Sequence, residues 1–230
     1  MGKFVVLLAL ALLSPFAQGQ QVFTVTAPQG HYLLPLAEQI VREMYQPLAI
    51  DIKLLQLPTA RSLKYVNDGY ADAELARASG MESQFTQLQA VPVPLLNLYL
   101  IVLSSHEDMS LQRMQQVRKG RVAIIHGTKY VEHFTRDWQV TAVDSHELLF
   151  NLLSSGRVDY ILLESLWPQY VFPAMQTDKY FQRTLETVPM YHYVHRNHAA
   201  LIPQLTESVL QLQQNGRINQ LISQFSPPWH

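Results

Sequence analysis

The chain of 230 residues contains no cysteine. It can carry neither disulfides nor a lipid on a cysteine, so it must hold its fold through its hydrophobic core alone. Charge is sparse and balanced: 17 Lys and Arg against 18 Asp and Glu give a formal net charge of −1. With no basic stripe and no charge block, the composition argues against a nucleic-acid partner and against an electrostatic grip on a membrane. Low-complexity tracts and long Pro/Gly linkers are missing. So are the Gly-x-Ser-x-Gly, P-loop and His-Glu-x-x-His patterns that mark nucleophilic, phosphate-binding and zinc-dependent sites. Beyond the N-terminus no apolar run could span a bilayer, because the longest, Val91 to Leu103, is interrupted by Pro92, Pro94 and Asn97. Glycine is scarce, at 9 residues, so one that recurs in a fixed context carries information.

The N-terminus is the exception to the shortage of apolar runs. Lys3 supplies a positive start, Phe4 to Leu13 are apolar, and Ala17-Gln18-Gly19 places small residues where a signal peptidase cuts. Pro15 and the short apolar length disfavour a permanent membrane anchor. Residues 1–19 therefore read as a signal peptide cleaved near Gln20, with a soluble, periplasmic mature protein. About 210 mature residues bury roughly 70% of their unfolded surface, enough for one large domain or two joined lobes.

The most informative pattern occurs twice. Asn67-Asp68-Gly69-Tyr70-Ala71-Asp72-Ala73 and Ser154-Ser155-Gly156-Arg157-Val158-Asp159-Tyr160 each read as a helix end, a Gly turn and the start of a strand. Helical spacing precedes both, in Leu63 and Val66 and in Leu149, Leu152 and Leu153. The runs that follow, Ala73 to Arg77 and Tyr160 to Glu164, begin as buried strands and end on a charge. Charged strand ends are where an open α/β sheet binds its ligand. Between these units strands and helices alternate. Strands are expected at 22–27, 50–57, 72–77, 95–103, 121–125, 140–143, 158–164 and 187–194. Helices are expected at 32–45, 61–66 with Thr59 as N-cap, 110–117, 130–138, 145–153, 166–171, 199–214 and 217–225. This alternation implies a mostly parallel sheet in each of two lobes.

With Gly69-x-x-Asp72, Gly120-Arg121-Val122-Ala123-Ile124-Ile125-x-Gly127-Thr128 and Gly156-Arg157-Val158-Asp159 in this order, the chain resembles the extracellular solute-binding proteins of family 3. The resemblance runs from Gln21 to about Phe225. It implies an α/β, two-lobed periplasmic binding protein type 2 fold, each lobe a mostly parallel sheet flanked by helices. The lobes would be 20–103 and 104–191, with 192–230 returning to the first and crossings near Ser104 and Tyr191. It also implies that Glu164, five residues after Asp159, holds a ligand ammonium. The residues alone equally allow Glu164 to cap a helix starting at Ser165. The arginine that the resemblance leads one to expect for a ligand carboxylate falls on Gln84. Arg77 could take that work with its planar fork, or it could pair with Glu74 or Glu82 as scaffold. Arg61, near the start of a helix, is a second cationic candidate, and Tyr32 is the candidate aromatic cover. Gly127 and Thr128 precede a helix and would offer N–H groups and a hydroxyl to a carboxylate.

His192, His195 and His198 do not assemble a metal site on paper, because His192 and His195 point to opposite faces of a strand. No cofactor and no metal is expected, and the protein is expected to be a monomer. The resulting expectation is a solute receptor, not an enzyme, that closes on a small polar molecule and hands it to a membrane permease. Two alternatives stand beside it. One is a sensor that presents its ligand to a membrane receptor. The other is a dehydratase-like enzyme using Glu164 or Glu74 as general acid or base.

Overall fold

The computed structural model describes residues 22–105, 116–167 and 180–225. In chain order the first strands and helices are β1 (Phe23–Pro28), α1 (Leu34–Tyr45), β2 (Ile52–Leu57), α2 (Thr59–Asn67) and β3 (Ala73–Ala78). β1 pairs in parallel with β2 on one side and β3 on the other. Parallel neighbours need crossovers, and the two helices supply them. Pro35 opens α1, where its missing N–H costs nothing, and Leu36, Ile40, Val41 and Met44 form the buried face. In α2 the cap position falls on Pro58, and Thr59 is already helical. Pro58 holds the extended backbone that a cap requires, which moves the boundary one residue from where the hydroxyl suggested it.

After β4 (Leu88–Ala90) and the nine-residue β5 (Leu96–Ser104), the same construction returns. It comprises β6 (Val122–Ile125), α3 (Lys129–Phe134), β7 (Val140–Val143), α4 (His146–Ser154) and β8 (Tyr160–Ser165). β6 is parallel to both β7 and β8. Ser145 caps α4, its hydroxyl accepting the Leu148 N–H at 3.2 Å.

Two antiparallel strands join the halves. β5 and the 15-residue β9 (Phe181–His195) run side by side from Leu96 opposite Met190 to Ser104 opposite Phe181. The result is a curled nine-stranded sheet in the order β2-β1-β3-β9-β5-β8-β6-β7, with β4 also on β9. The hydrophobic clusters change over along these strands. Leu96, Leu98 and Val188 belong to the core under α1, whereas Leu100 and Val102 pack under α3 and Ile101 and Leu103 under α4. After β9, α5 (Ile202–Gln214) and α6 (Arg217–Gln224) return to α1, where Arg217 grips Glu43 with two bonds of 2.7 and 2.8 Å.

β9 starts six residues before the strand expected at 187. From Phe181 to Pro189 it pairs with β5 alone among the described residues, so its open edge carries polar side chains and shows no clean alternation. α3 stops at Phe134, four residues short of the expected end, and the Thr135 hydroxyl bonds back to the Val131 carbonyl at 2.8 Å. The three-residue β4 is too short to leave a periodic signal. The expected signal peptide lies outside the described residues, and the expected helices at 110–117 and 166–171 lie mostly outside them. Among the described residues no helix is long and apolar enough to cross a membrane.

Candidate functional site

The repeated sequence phrase is a repeated bracket in three dimensions. Gly69 and Gly156 take φ of +79° and +67°, a left-handed turn that glycine adopts without strain. Each following Asp then ties down the neighbouring strand. Asp72 gives its N–H to the Thr24 carbonyl at 2.9 Å and accepts the Thr24 N–H on its carboxylate at 2.7 Å. Asp159 does the same with Arg121, at 2.8 and 3.0 Å. His198 completes the first bracket at 2.7 Å, and the Arg121 guanidinium completes the second at 2.7 Å. Five residues beyond each Asp stand Arg77 on β3 and Glu164 on β8. β3 ends opposite Met190 on β9, and β8 ends opposite Tyr99 on β5, so both strand ends reach the zone where the sheet passes between the halves.

On the first side Arg77 is already paired. Its Nη2 lies 2.8 Å from the carboxylate of Glu74, which has no exposed surface. Glu74 also accepts hydrogen bonds from the hydroxyls of Ser62 and Thr26, the latter at 2.6 Å. Burial pushes the Glu74 carboxyl up and the Arg77 guanidinium down from their ordinary values, and the charge of each opposes the shift of the other. Arg77 edges a cavity of about 60 Å³ whose walls are mainly apolar, Leu33, Leu34, Leu98 and Met190 among them, with His31 as its other titratable group. His31 keeps solvent contact, yet the atoms crowding its ring and the Arg77 charge both draw its pKa below the ordinary value.

On the second side Glu164 is 7% exposed, and among the described residues no hydrogen bond or ion pair reaches its carboxylate. The N–H of Trp167 donates to the Ser165 hydroxyl at 3.0 Å. Loss of water pushes the Glu164 pKa up to about 7. Along β8, Glu164 follows Tyr160 and Leu162 on one face, the face covered by α3. From α3, Tyr130 reaches over to pack against both the first and the second cores. Its hydroxyl bonds Glu186 and lies in the field of Glu164, and desolvation with these two carboxylates raises its pKa. A buried carboxylate without a counter-charge is costly, which makes such a residue a functional-site candidate.

No family model matches the chain, and no curated protein matches it. Solved structures do. A protein from Wolinella succinogenes described as an ABC-transporter binding component, complexed with lysine, superposes with a TM-score of 0.62 at 13% identity, over 88% of this chain and 94% of that one. The fold is that of the two-lobed periplasmic binding proteins. The second substrate-binding domain of Lactococcus lactis GlnP, in its open conformation, gives 0.58 at 13% identity, covering 90% and 96% of the two chains. A histidine kinase sensor domain similar to periplasmic binding proteins gives 0.60 at 12%, covering 89% and 95%. The type 2 binding-protein fold implied by the sequence resemblance is thus shown.

The remaining candidates differ in how free their side chains are. Tyr32 is half-buried and its ring stacks on His31 with centroids 5.2 Å apart. Arg61 is exposed in the first turn of α2 and has no ion pair among the described residues. Thr128 is the N-cap of α3, but the preceding Gly127 N–H is not free, because the Glu132 carboxylate of the same helix accepts it at 2.7 Å. Gln84 is exposed after a short 3-10 turn and borders no part of the cavity beside Arg77. Tyr99 packs on the α4 side of the sheet, the face opposite Glu164. His192 is buried, shares a 2.8 Å hydrogen bond with the Tyr45 hydroxyl and approaches the Leu75 carbonyl at 3.1 Å. Sequence reasoning passed over Tyr130 and Glu186. The only signal for Tyr130 was its place in the helix that follows Gly127-Thr128, and Glu186 stood in a stretch with no strand periodicity.

Proposed function

We propose that this protein is an extracytoplasmic solute receptor that closes its two lobes around a small polar molecule bearing a positively charged nitrogen, an amino acid or a related amine. It then delivers that solute to an ABC-type permease in the membrane. The observation that carries this reading is Glu164, a buried carboxylate at the end of β8 that has no hydrogen-bond or ion-pair partner among the described residues. Inside a closed cleft its attraction to an ammonium is worth far more than in water, so affinity arises only when both lobes engage. In this reading the hinge lies where the core clusters change over, at Leu98 to Leu100 on β5 and Leu185 to Val188 on β9. Glu74 holds Arg77 in position from beneath, and Arg77, Tyr32, Arg61 and Thr128 border the closed site. Export by residues 1–19 is part of the same reading, since a receptor of this kind meets its solute outside the cytoplasm.

The test is a thermal-shift panel on refolded, ligand-stripped protein, with amino acids, polyamines, small carboxylates and sugars, run in parallel on Glu164→Gln. A ligand at 100 times its Kd stabilises by about 2.7 kcal/mol, roughly 5 to 10 °C for a chain of this size. The expected hit carries an ammonium or guanidinium and disappears in the Gln variant. A hit of equal size in both proteins, or one confined to sugars, rejects the reading. Loss of uptake of that solute from cells lacking the protein then checks delivery to a permease.

A further inference from the structure

The two sides of the cleft differ in what charge they leave for a ligand. On the β3 side, the cation of Arg77 is matched by Glu74 at 2.8 Å, deep in the lobe, and the pair is neutral as a unit. The neighbouring cavity walls are mainly apolar, Gln84 brings no second cation, and Arg61, the other cationic candidate, does not line the cavity. On the β8 side there are two carboxylates. Leu100 of β5 lies opposite Glu164 on one neighbouring strand and opposite Glu186 on the other. The two glutamates therefore flank Leu100 in one row across three strands, their backbones about 10 Å apart at the usual strand spacing. A β-bulge on β9 matters here, because the register shifts between Leu100 and Ile101. A bulge lets two successive residues share a face, and Leu185 accordingly packs under α3 while Glu186 meets Tyr130 on that same helix. Glu164, 7% exposed and without a partner among the described residues, is the independent sign that this acidic pair awaits a cation.

We propose that the cleft selects an amphiphilic organic cation, an ammonium or guanidinium on a short aliphatic group, that Glu186 holds it together with Glu164, and that an amino-acid carboxylate is not required. This rests on the reading that Glu164 faces the solute. The apolar end belongs in the cavity beside Arg77. At about 60 Å³ that cavity is well below the roughly 150 Å³ that accepts a benzene ring, so it suits a branched aliphatic end and not an aromatic one. Leu98 borders the cavity and stands two residues from Leu100 on the same face, about 7 Å along the strand, the length of a short alkyl chain.

Three probes with nearly one carbon skeleton separate the contributions: leucine, isopentylamine, which is leucine without its carboxylate, and 4-methylpentanoate, which lacks the ammonium. Each is titrated by calorimetry into wild type, Glu164→Gln and Glu186→Gln. Isopentylamine is expected to bind at least as tightly as leucine to within threefold, 4-methylpentanoate not at all, and Glu186→Gln to weaken isopentylamine at least fivefold. Leucine binding more than tenfold tighter than isopentylamine, or isopentylamine affinity unchanged in Glu186→Gln, overturns the inference while leaving a Glu164-dependent amino-acid receptor intact. Binding of 4-methylpentanoate, or affinities unmoved by Glu164→Gln, overturns the underlying reading as well. Binding by none of the three overturns the inference, and the broader panel then decides the reading.

Discussion

Glu164 and His192 are both buried and ionisable, but they answer pH in opposite directions. The Glu164 pKa is raised to about 7 from an ordinary 4.5, so the folded state holds a proton that the unfolded chain has released between those values, and stability falls as pH rises through that window. The His192 pKa is lowered to about 4 from 6.5, so the folded state refuses a proton that the unfolded chain takes, and stability falls as pH drops from 6.5 toward 4. Each effect amounts to about 3 kcal/mol at most. In the wild type the two largely cancel between pH 4.5 and 6.5. Glu164→Gln is expected to unmask the histidine, giving a protein more stable than wild type at pH 8 whose urea midpoint falls steeply on acidification. Equal midpoints at pH 8 would show that Glu164 is not desolvated. A second prediction concerns Glu74. Replacing it with Gln leaves the Arg77 charge buried and unpaired, which costs about 3 to 5 kcal/mol, and adding Arg77→Met should recover most of that. A double variant no more stable than the single would mean that the pair does not carry the cost. Of these residues, Glu164 and Arg77 stood out in the sequence as the charges that end the strands following the Gly-x-x-Asp phrases. That Arg77 was committed to Glu74 was not legible, because several carboxylates lay within reach in sequence.

At the scale of elements, the two brackets show how a short phrase fixes a strand. The glycine turns the chain, and the aspartate binds both backbone groups of a residue on the neighbouring strand, so β3 and β8 start in register. Gly120, in the phrase that opens β6, has a different reason to be glycine. A Cβ there would stand 2.8 Å from the Tyr160 ring, which is buried under α3. Gly120→Ala is expected to cost about 1 to 3 kcal/mol through displacement of that ring, read as a lower urea midpoint. An unchanged midpoint would mean that the ring moves freely. Helices and parallel strands were readable because their apolar residues keep period: α1 shows it at Leu36, Ile40 and Met44. The first half of β9 was not, since an edge position and a bulge both erase alternation, and the bulge also sets Glu186, opposite Leu100 in register, beside Leu185 under α3.

For the whole molecule, strand order was beyond the sequence. Alternating elements imply parallel triplets, but nothing in a single chain states that β9 inserts between β3 and β5 and carries one sheet through both lobes. In the proposed reading that connection makes β5 and β9 the hinge, and ligand should close the lobes over it. The radius of gyration in solution scattering is expected to shrink on saturation with an amine found to bind. An unchanged radius would count against closure. The central claim is that the Glu164 carboxylate is the counter-charge for the ligand, and carboxyl carbon NMR reads it directly. Titrating the Glu164 side-chain resonance, assigned with Glu164→Gln, should give a pKa near 7 in the free protein, falling on saturation with that amine as the cation draws the proton off. A free-protein value near 4.5, or one that ligand does not move, would contradict it.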